Sequence, residues 1–554
     1  MFKHTTRNFL FVFLSLVVLS LPLEASAETP GLSFAPLSEA FLLERAGRGS
    51  RVDGADEYER SYYGVSHLDL SHLANADYAR FLSRSTASRG AGLPSRYDLR
   101  TYGWTTPAKT QSYNNCWAYS ACASLESTYL RAEGTALDLS ETHLSWFSAN
   151  ATPSFTRTFY TGGYDNIAVA MFARWSGAVL ERDAPQDATP AGDADSYPNR
   201  LHLENAFFLG LQFQPEFQRP TREVMKRLVY EYGGISAGIC MASEGGTSKF
   251  YNEANHAWYY NGTRTRPDHA VMIAGWDDDY PASNFRADNR PKGNGAWLAK
   301  NHRSPSFGDD GFFWVSYEDV SIGDGTVYLA GEADNFDKNY GYDELGWCHS
   351  FGENGSDTIW LANVFTAGRA QDVKERLEAV SLYATANNAE YEIIVYTNLS
   401  NPADPASGTV AASQRGDCDF AGYHTIRLLS PVTLPAGAAF AVAVRMTTPG
   451  YAYPGAVERA VAGYSDNATA KAGESFISTD GHAWRDAKAA VEANVCLRAF
   501  TTLSETPGPD PDPDPDPSPD GSGGGGCTAG GLPLLGILTI LGAALAHRKK
   551  EVRV

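Results

Sequence analysis

Cys116 is a candidate nucleophile, because it lies between an Asn-Asn pair and a run of residues with helical spacing. Small or apolar residues recur after it at intervals of three and four, namely Ala118, Ala121, Cys122, Leu125 and Tyr129. This spacing predicts a helix buried along one face. The unpaired N–H groups and the positive dipole end of a helix start favour a thiolate. A nucleophilic thiol is one interpretation of Cys116, and a core cysteine is the other.

Two residues downstream could complete a catalytic set with this thiol. His269 stands at the entrance of an apolar segment, 269–276, that predicts a strand, and Asn301 ends a second such segment, 296–301. An imidazole can accept the thiol proton and later protonate a departing amine. A carboxamide can fix which ring nitrogen faces the sulfur. The three side chains therefore suit the hydrolysis of amides.

Three segments in this order resemble the papain family of cysteine peptidases. They are QSYNNCWAYSA at 111–121, DHAVMIAGW at 268–276, and WLAKN at 297–301 followed by DDGFFWVSY at 309–317. The resemblance spans about residues 94–330. It implies an α+β fold in which a helical lobe carries the cysteine and a β lobe carries the histidine and asparagine, with the active site in the cleft between them.

The resemblance also implies residue roles. Cys116 would be the nucleophile and His269 its base and later acid. Asn301 would orient the imidazole, and the Gln111 amide would join the Cys116 backbone N–H as the oxyanion hole. Substrate contact would fall to Gly162, Gly163 and Asp268. Protein or peptide substrates are implied, with no metal and no organic cofactor.

The sequence departs from the family pattern at two places. Asn114-Asn115 replaces the usual Cys-Gly-Ser before the nucleophile, in a loop that looks one residue short, so the family's upstream disulfide cannot form. Arg303 stands where the family has an aromatic residue shielding the Asn–His hydrogen bond. Water would then reach that hydrogen bond more easily, unless Phe307 or Trp314 covers it.

Two alternatives to a peptidase stay open at this point. Another thiol hydrolase with the same residue order, such as a cell-wall amidase or a transglutaminase, is the enzymatic alternative. A catalytically impaired relative that uses its cleft and a second domain only for binding is the other. The isolated histidines His143, His256 and His302 are interpreted as surface or packing residues, the last two being weak alternatives to His269.

The sequence divides into several regions around the peptidase-like part. Residues 28–93 predict a pro-segment or a segment that packs permanently on the domain that follows, 94–332. From 333 to 503, short alternating strands separated by turns predict an antiparallel β-sandwich. Its layout resembles the lectin-like domain of some bacterial surface peptidases. Such a sandwich is either a binding module for a carbohydrate or cell-surface ligand, or only a spacer.

Both ends of the chain carry targeting features. Residues 1–27 read as a secretory signal with a basic start, an apolar core and an Ala-Ser-Ala cleavage site. Residues 504–526, rich in Pro, Asp and Gly, predict an extended linker. Residues 527–554 resemble the Synergistes type of sorting signal in diderm bacteria, and a short inner-membrane anchor is the alternative. We expect a secreted protein, or one attached to the cell surface or outer membrane, with sorting machinery or a membrane as partner.

Composition excludes some functions. The net charge of −20 and pI near 5.0 argue against a nucleic-acid partner, which needs clustered Lys and Arg. Seven cysteines in 554 residues are too few for a disulfide scaffold. The Asp run at 277–279 lacks the alternating ligands of a calcium loop and predicts a solvated turn.

Overall fold

The computed structural model describes residues 31–47, 66–73, 78–89, 92–210, 218–241, 249–262, 267–370 and 373–505. These ranges contain seven α-helices: α1 (Glu39–Gly47), α2 (Ala79–Arg89), α3 (Cys116–Glu133), α4 (Glu141–Asn150), α5 (Asp165–Ala173), α6 (Gln218–Glu231) and α7 (Ala487–Val491). No helix in these ranges is both long and apolar enough to cross a membrane. The predicted signal peptide, the linker from residue 506 onward and the predicted sorting tail lie outside the described residues.

The same ranges contain twenty-three strands. The first ten are β1 (Leu32–Phe34), β2 (Arg96–Asp98), β3 (Leu201–Leu209), β4 (Ile235–Ile239), β5 (Tyr251–Asn252), β6 (Ala257–Trp258), β7 (His269–Asp277), β8 (Ala296–Lys300), β9 (Phe312–Ser316) and β10 (Gly323–Glu332). The others are β11 (Lys338–Tyr340), β12 (His349–Glu353), β13 (Thr358–Thr366), β14 (Val373–Ala384), β15 (Ala389–Thr397), β16 (Thr409–Cys418), β17 (Ala421–Leu434), β18 (Ala439–Thr447), β19 (Gly455–Glu458), β20 (Ser475–Ser478), β21 (Arg485–Asp486), β22 (Asn494–Val495) and β23 (Leu497–Glu505).

One thirteen-stranded sheet runs through both halves of the described chain. Its order is β11-β23-β14-β17-β3-β10-β4-β7-β8-β9-β6-β5, with β2 also paired to β7. The halves meet where β3 and β17 pair antiparallel, so that Ala206 opposes Tyr423 and Phe208 opposes Ala421. Backbone hydrogen bonds therefore fix how the two halves are oriented.

The C-terminal half is a β-sandwich, as the alternating pattern predicts. A six-stranded sheet of order β16-β15-β18-β13-β20-β21 packs against β14, β17 and β23 of the large sheet. Alternate residues such as Leu361, Ile393, Val442 and Leu382 fill the space between the sheets. The neighbouring residues of each strand point to the outer face.

Helix α3 is the centre of the N-terminal half. The sequence predicts burial along one face, but α3 is buried on all sides from Cys116 to Leu130. The prediction was wrong in this respect because α3 contacts β7 and β10 on one side and α4 and α5 on the other. The helix ends at Gly134, whose φ of 72° suits glycine and whose N–H bonds to the Leu130 carbonyl.

The described parts of the N-terminal segment pack against both halves. Strand β1 pairs antiparallel with β12 in a separate four-stranded sheet of order β1-β12-β19-β22, and the Phe34 ring stacks on His349 with centroids 4.8 Å apart. Phe41 is buried in the core around α3, and Phe81 is buried in the core of the β lobe. The contacts are compatible with a pro-segment and with a permanent packing segment, and the removal of residues 28–93 stays a prediction.

Candidate active site

Cys116 is the first residue of α3, as the sequence predicts. Asn115 precedes it as the N-cap residue without a side-chain capping bond, so the backbone N–H groups of the first turn stay directed at the loop. The backbone N–H groups of Ala270, Trp117 and Cys116 itself lie near the sulfur and act to lower the pKa of Cys116. Ala270 follows His269 directly, so the helix start and the entrance of β7 meet at the thiol.

His269 and Asn301 form the predicted hydrogen-bonded pair. Nε2 of His269 lies 2.8 Å from Oδ1 of Asn301, and Asn301 is completely buried. The same oxygen accepts the His302 backbone N–H at 2.8 Å, which identifies it as the acceptor. Nε2 of His269 therefore carries the proton, and Nδ1 is the unprotonated nitrogen of the neutral ring.

Both reacting groups are covered in this structure. The Cys116 side chain is 0% exposed and that of His269 is 6% exposed. Burial raises the pKa of Cys116 to about 12, against the effect of the three N–H groups. Burial likewise lowers the pKa of His269 to about 4, although the Asn301 hydrogen bond opposes this. A neutral thiol and a neutral imidazole are therefore the stable pair while the site is covered.

Gln111 takes a different hydrogen bond from the one expected of an oxyanion donor. Its side-chain amide donates to the carbonyl of Tyr113 within the same loop, and its backbone N–H donates to the His302 carbonyl at 2.6 Å. The backbone bond holds the Gln111 loop against the end of β8. The side chain would have to turn away from Tyr113 before it could bind an oxyanion.

The glycine pair lies beside the start of α3. A Cβ placed on Gly163 would come 2.7 Å from the Trp117 ring, so only glycine allows the backbone this close to the residue after Cys116. Gly162 precedes it and is partly exposed. The loop therefore packs against the side chain that follows the thiol, and substrate contact by Gly162 and Gly163 stays a prediction.

Asp268 and Met241 together close one side of the site. The Asp268 carboxylate accepts the Met241 backbone N–H at 2.7 Å, and its charge raises the pKa of Cys116 in addition to the larger effect of burial. The Met241 sulfur lies 3.9 Å from the Asn301 amide nitrogen. The expected shield is different: Phe307 stacks on Tyr251 and Trp314 on Tyr280, whereas Met241 covers Asn301.

His302 is the residue whose importance the sequence did not reveal. It is fully buried, and its Nε2 bonds to the Ala270 carbonyl at 2.8 Å. Because a carbonyl only accepts, this nitrogen carries the proton. Burial and the nearby His269 lower the pKa of His302 well below its usual value. His302 therefore links the backbones next to His269, Asn301 and Gln111 as a neutral positioning residue.

A buried ionic network lies beneath these residues. Lys109 donates to Glu126 at 2.9 Å and to Glu141 at 2.8 Å. Lys300 donates to Thr106 at 2.9 Å, and Thr106 in turn donates to Glu126. Burial opposes both charges, but the carboxylates raise the pKa of Lys109 and the lysines lower that of Glu126. Both groups are therefore charged at neutral pH.

This network joins the three chain segments that carry the site. Lys109 stands two residues before Gln111, Lys300 directly precedes Asn301, and Glu126 lies on the helix that begins at Cys116. A single carboxylate thus connects the loop, the strand and the helix. Sequence inspection could have marked Lys300, a charged residue inside an apolar strand, as a residue that needs a partner.

Comparison with known proteins agrees with this geometry. A family model described as papain family cysteine protease matches residues 93–329, and one described as lectin like domain matches residues 339–501. Residues 93–329 are a papain-family cysteine protease domain. The papain-family domain is followed by a lectin-like domain, and the α+β fold predicted from the sequence is confirmed.

Relatives of known sequence align mainly with the papain-family domain. The oryzain beta chain of Oryza sativa subsp. japonica is 26% identical over 270 residues, which cover 46% of this chain and 52% of that protein. Procathepsin L of Felis catus is 28% identical over 223 residues, covering 40% and 60% respectively. The chain therefore spans between half and three-fifths of the length of these relatives.

Solved structures extend the similarity to both domains. The cysteine protease and lectin-like domains of Cwp84, a surface layer associated protein of Clostridium difficile, superpose with a TM-score of 0.69 at 25% identity. That match covers 86% of this chain and all of the other. A clostridial Cwp84 structure after propeptide cleavage gives a TM-score of 0.63 at 27% identity, covering 74% of this chain and all of the other.

Proposed function

We propose that this protein is a secreted or cell-surface cysteine endopeptidase that cleaves proteins or peptides through a covalent thioester. One observation carries the proposal. The proton-bearing Nε2 of His269 is held by Asn301, and the backbone N–H of the next residue, Ala270, lies near enough to the Cys116 sulfur to lower its pKa. This arrangement supports Nδ1 of His269 as the base that serves the thiol.

The first half of the reaction forms the thioester. His269 Nδ1 takes the Cys116 proton while the sulfur attacks the substrate carbonyl carbon. The carbonyl oxygen becomes an oxyanion, which the Cys116 N–H and, after rotation, the Gln111 amide would bind. The tetrahedral adduct then collapses: the C–N bond breaks, and the His269 proton passes to the leaving amine.

The second half restores the enzyme with water. Water gives a proton to His269 Nδ1 and attacks the thioester carbonyl. The C–S bond of the second adduct breaks, which releases a carboxylic acid product and returns the proton to the Cys116 sulfur. Asn301 keeps the proton on Nε2 throughout, so Nδ1 acts as base and acid in both halves.

Activity on this account requires the site to be uncovered first. Burial is the largest cause of both the raised pKa of Cys116 and the lowered pKa of His269. Access of water or substrate reduces that burial, which moves both pKa values toward the thiolate–imidazolium pair. The covered form is then a resting form with low thiol reactivity.

The cellular location of the reaction is inferred from the sequence and from the similarity to Cwp84. The predicted signal peptide and sorting tail support export, and the similar protein Cwp84 is described as surface layer associated. We therefore expect protein substrates outside the cytoplasm of a diderm bacterium. Gly162, Gly163 and Asp268 would line the substrate side of the thiol.

The test is covalent labelling of the thiol together with hydrolysis assays. We expect an irreversible thiol-directed epoxide to modify wild type and a Cys122→Ala variant at one site, and not to modify Cys116→Ala. Cys122 is the matched control because it is a free, buried cysteine on the same helix. Hydrolysis of an unfolded protein should disappear with Cys116→Ala and with His269→Ala.

The alternatives predict different results in the same assays. Cleavage of peptidoglycan with no cleavage of unfolded protein would identify a cell-wall amidase. No labelling and no hydrolysis, even after limited proteolysis of the N-terminal segment, would identify a catalytically impaired binding protein. Labelling of Cys116→Ala at the wild-type rate would contradict its role as the nucleophile.

A further inference from the structure

The outer face of the six-stranded sheet carries an ordered row of polar side chains. The strand register places Trp360 opposite Arg445, Arg445 opposite Glu392, and Glu392 opposite Arg415. The adjacent row on the same face contains Thr447, Glu390 and Asp417. Glu390 is in the middle, opposite Thr447 on one side and Asp417 on the other. Donors and acceptors therefore alternate across four neighbouring strands.

A pocket lies over these two rows and the start of helix α2. Its volume is about 300 Å³, and its lining includes Arg80, Glu390, Arg415, Asp417, Arg445 and Thr447. This is the lower end of the range for small-molecule sites in proteins, and it corresponds to roughly ten water molecules. The pocket is formed jointly by the N-terminal segment, which supplies Arg80, and the lectin-like domain.

The charges in the pocket cancel one another. Arg415 and Arg445 lie 2.7 Å and 3.3 Å from the Glu392 carboxylate. Arg80 lies 2.7 Å from Asp419 and 3.4 Å from Asp417. A charged ligand would have to compete with these pairs, so the pocket offers little net attraction to a simple anion or cation.

The pocket nevertheless keeps many groups that can hydrogen-bond. A guanidinium has five N–H donors, and one ion pair occupies only some of them. Glu390 is exposed and has no ion pair among the described residues. A ligand rich in hydroxyl groups could accept from Arg415 and Arg445 and donate to Glu390 without breaking the existing pairs.

An aromatic ring borders the polar row. Trp360 is partly exposed and adjoins Arg445 on the neighbouring strand. Its ring has two close neighbours: a Cβ on Gly481 would come 2.8 Å from it, and the centroid of the Trp484 ring lies 6.4 Å away, nearly perpendicular to it. An indole beside hydrogen-bonding groups suits a ligand with one apolar and one polar face.

We propose that this pocket binds a neutral saccharide. Hydroxyl groups both donate and accept, which matches the guanidinium and carboxylate groups that line the pocket. Trp360 does not line the pocket itself; it lies on the strand beyond Arg445, where its indole suits the C–H face of a further sugar ring. The site is separate from Cys116, and the proposal does not depend on the peptidase activity. It specifies a place and a ligand class for the lectin-like domain.

The part played by Arg80 has a further consequence. Arg80 belongs to α2 of the N-terminal segment, so a saccharide that contacts it binds better while the segment is in place. By thermodynamic linkage, a bound saccharide in turn makes the N-terminal segment associate more tightly with the lectin-like domain. Sugar binding and retention of the N-terminal segment are therefore coupled.

The experiment is titration calorimetry on the full chain carrying Cys116→Ala, which prevents self-cleavage. The probes are methyl α-D-glucopyranoside, N-acetyl-D-glucosamine, maltotriose and N,N′,N″-triacetylchitotriose, with inorganic phosphate and glutamate as charged controls. We expect at least one saccharide to saturate with a Kd of about 1 mM or lower, and neither anion to bind.

Substitutions then assign the binding to the pocket. Trp360→Ala, Arg445→Ala and Arg80→Ala should each weaken binding about tenfold or more, which is about 1.4 kcal/mol. The matched control is Arg84→Ala. Arg84 pairs with the same carboxylates, Asp417 at 2.6 Å and Asp419 at 3.1 Å, but it does not line the pocket. It should leave the Kd within about twofold.

Folding and binding can be separated by one conservative change. Glu390→Gln replaces an exposed carboxylate by a group of the same shape, so it should weaken saccharide binding while leaving the melting temperature unchanged. Three results would overturn the proposal: no saccharide saturates below about 10 mM, phosphate or glutamate binds instead, or Arg84→Ala weakens binding as much as Arg80→Ala.

Discussion

Two networks of charged side chains in this protein use the same chemistry in opposite surroundings. The network beneath the active site connects Lys109, Glu126 and Lys300, and the Glu126 side chain is completely buried. The row on the outer sheet connects Arg445, Glu392 and Arg415. The two arginine side chains are 41% and 73% exposed, and the Glu392 side chain between them is 12% exposed. Water can replace a partner in the second network but not in the first.

Because water can replace a partner only in the second network, the two networks are suited to different functions. A buried charge that loses its partner is left in a medium that cannot solvate it, so the buried network holds one geometry. An exposed ion pair exchanges readily with water or with a ligand hydroxyl, and contributes little to stability. The first network is suited to position catalytic groups, whereas the second is suited to bind a ligand.

The largest expected effect comes from breaking the buried network. Glu126→Gln removes the carboxylate that Lys300 reaches through Thr106, and it removes one of the three carboxylates around Lys109, which keeps Glu141 and Asp138. We expect it to lower the free energy of unfolding by about 3 kcal/mol. Denaturant unfolding measures this loss. The double variant Glu126→Gln/Lys300→Met should recover part of it, because it also removes the charge that the single variant leaves unpaired. No loss in the single variant would contradict the view that this network is rigid.

Buried histidines give the next largest effect, and it depends on pH. Burial lowers the pKa of His424 in the lectin-like domain to about 4. Above pH 6.5 the ring is neutral in both the folded and the unfolded chain. Between pH 6.5 and 4 the unfolded chain binds a proton that the folded chain excludes, so stability falls as pH falls. At pH 4.5 this costs about 2–3 kcal/mol.

The variant His424→Gln tests this directly, because glutamine can donate to the Phe420 carbonyl that the imidazole now contacts at 2.9 Å. Relative to wild type, the variant should gain about 2–3 kcal/mol on going from pH 7.5 to 4.5. His482→Gln, at an exposed position, should change stability by less than about 0.5 kcal/mol at both pH values. An equal pH effect in both variants would show that burial is not the cause.

A smaller effect is expected at the positioning residue beside the reacting groups. His302→Phe removes the hydrogen bond to the Ala270 carbonyl, which should loosen the entrance of β7 and lower kcat about tenfold to thirtyfold with little change in KM. His302→Gln keeps a donor and should restore most of the rate. Equal loss in both variants, or a change confined to KM, would contradict a positioning role.

The sequence predicts well those parts of the site that lie within one segment. The helix from Cys116 and the strand from His269 follow from local spacing and residue type. Local patterns determine these features because the interactions that form them span only a few residues.

Contacts between distant segments could not be predicted in the same way. Met241 was missed as the cover of Asn301 because the contact depends on where β4 ends relative to β8, and no spacing in the sequence encodes that distance. The pairing of β1 with β12 was missed for a similar reason. Three residues of a strand are too few to indicate a partner that lies in another domain.

The smallest expected effect on stability is at Glu392 in the exposed row. Glu392→Gln makes the same chemical change as Glu126→Gln, but Arg415 and Arg445 can turn to water when the carboxylate is lost. We expect it to lower the free energy of unfolding by less than about 1 kcal/mol, and less still at high salt. Denaturant unfolding of both variants at two salt concentrations measures the difference. A loss at Glu392 as large as that at Glu126 would mean that the outer row is also rigid, and that its guanidinium groups are not available to a ligand.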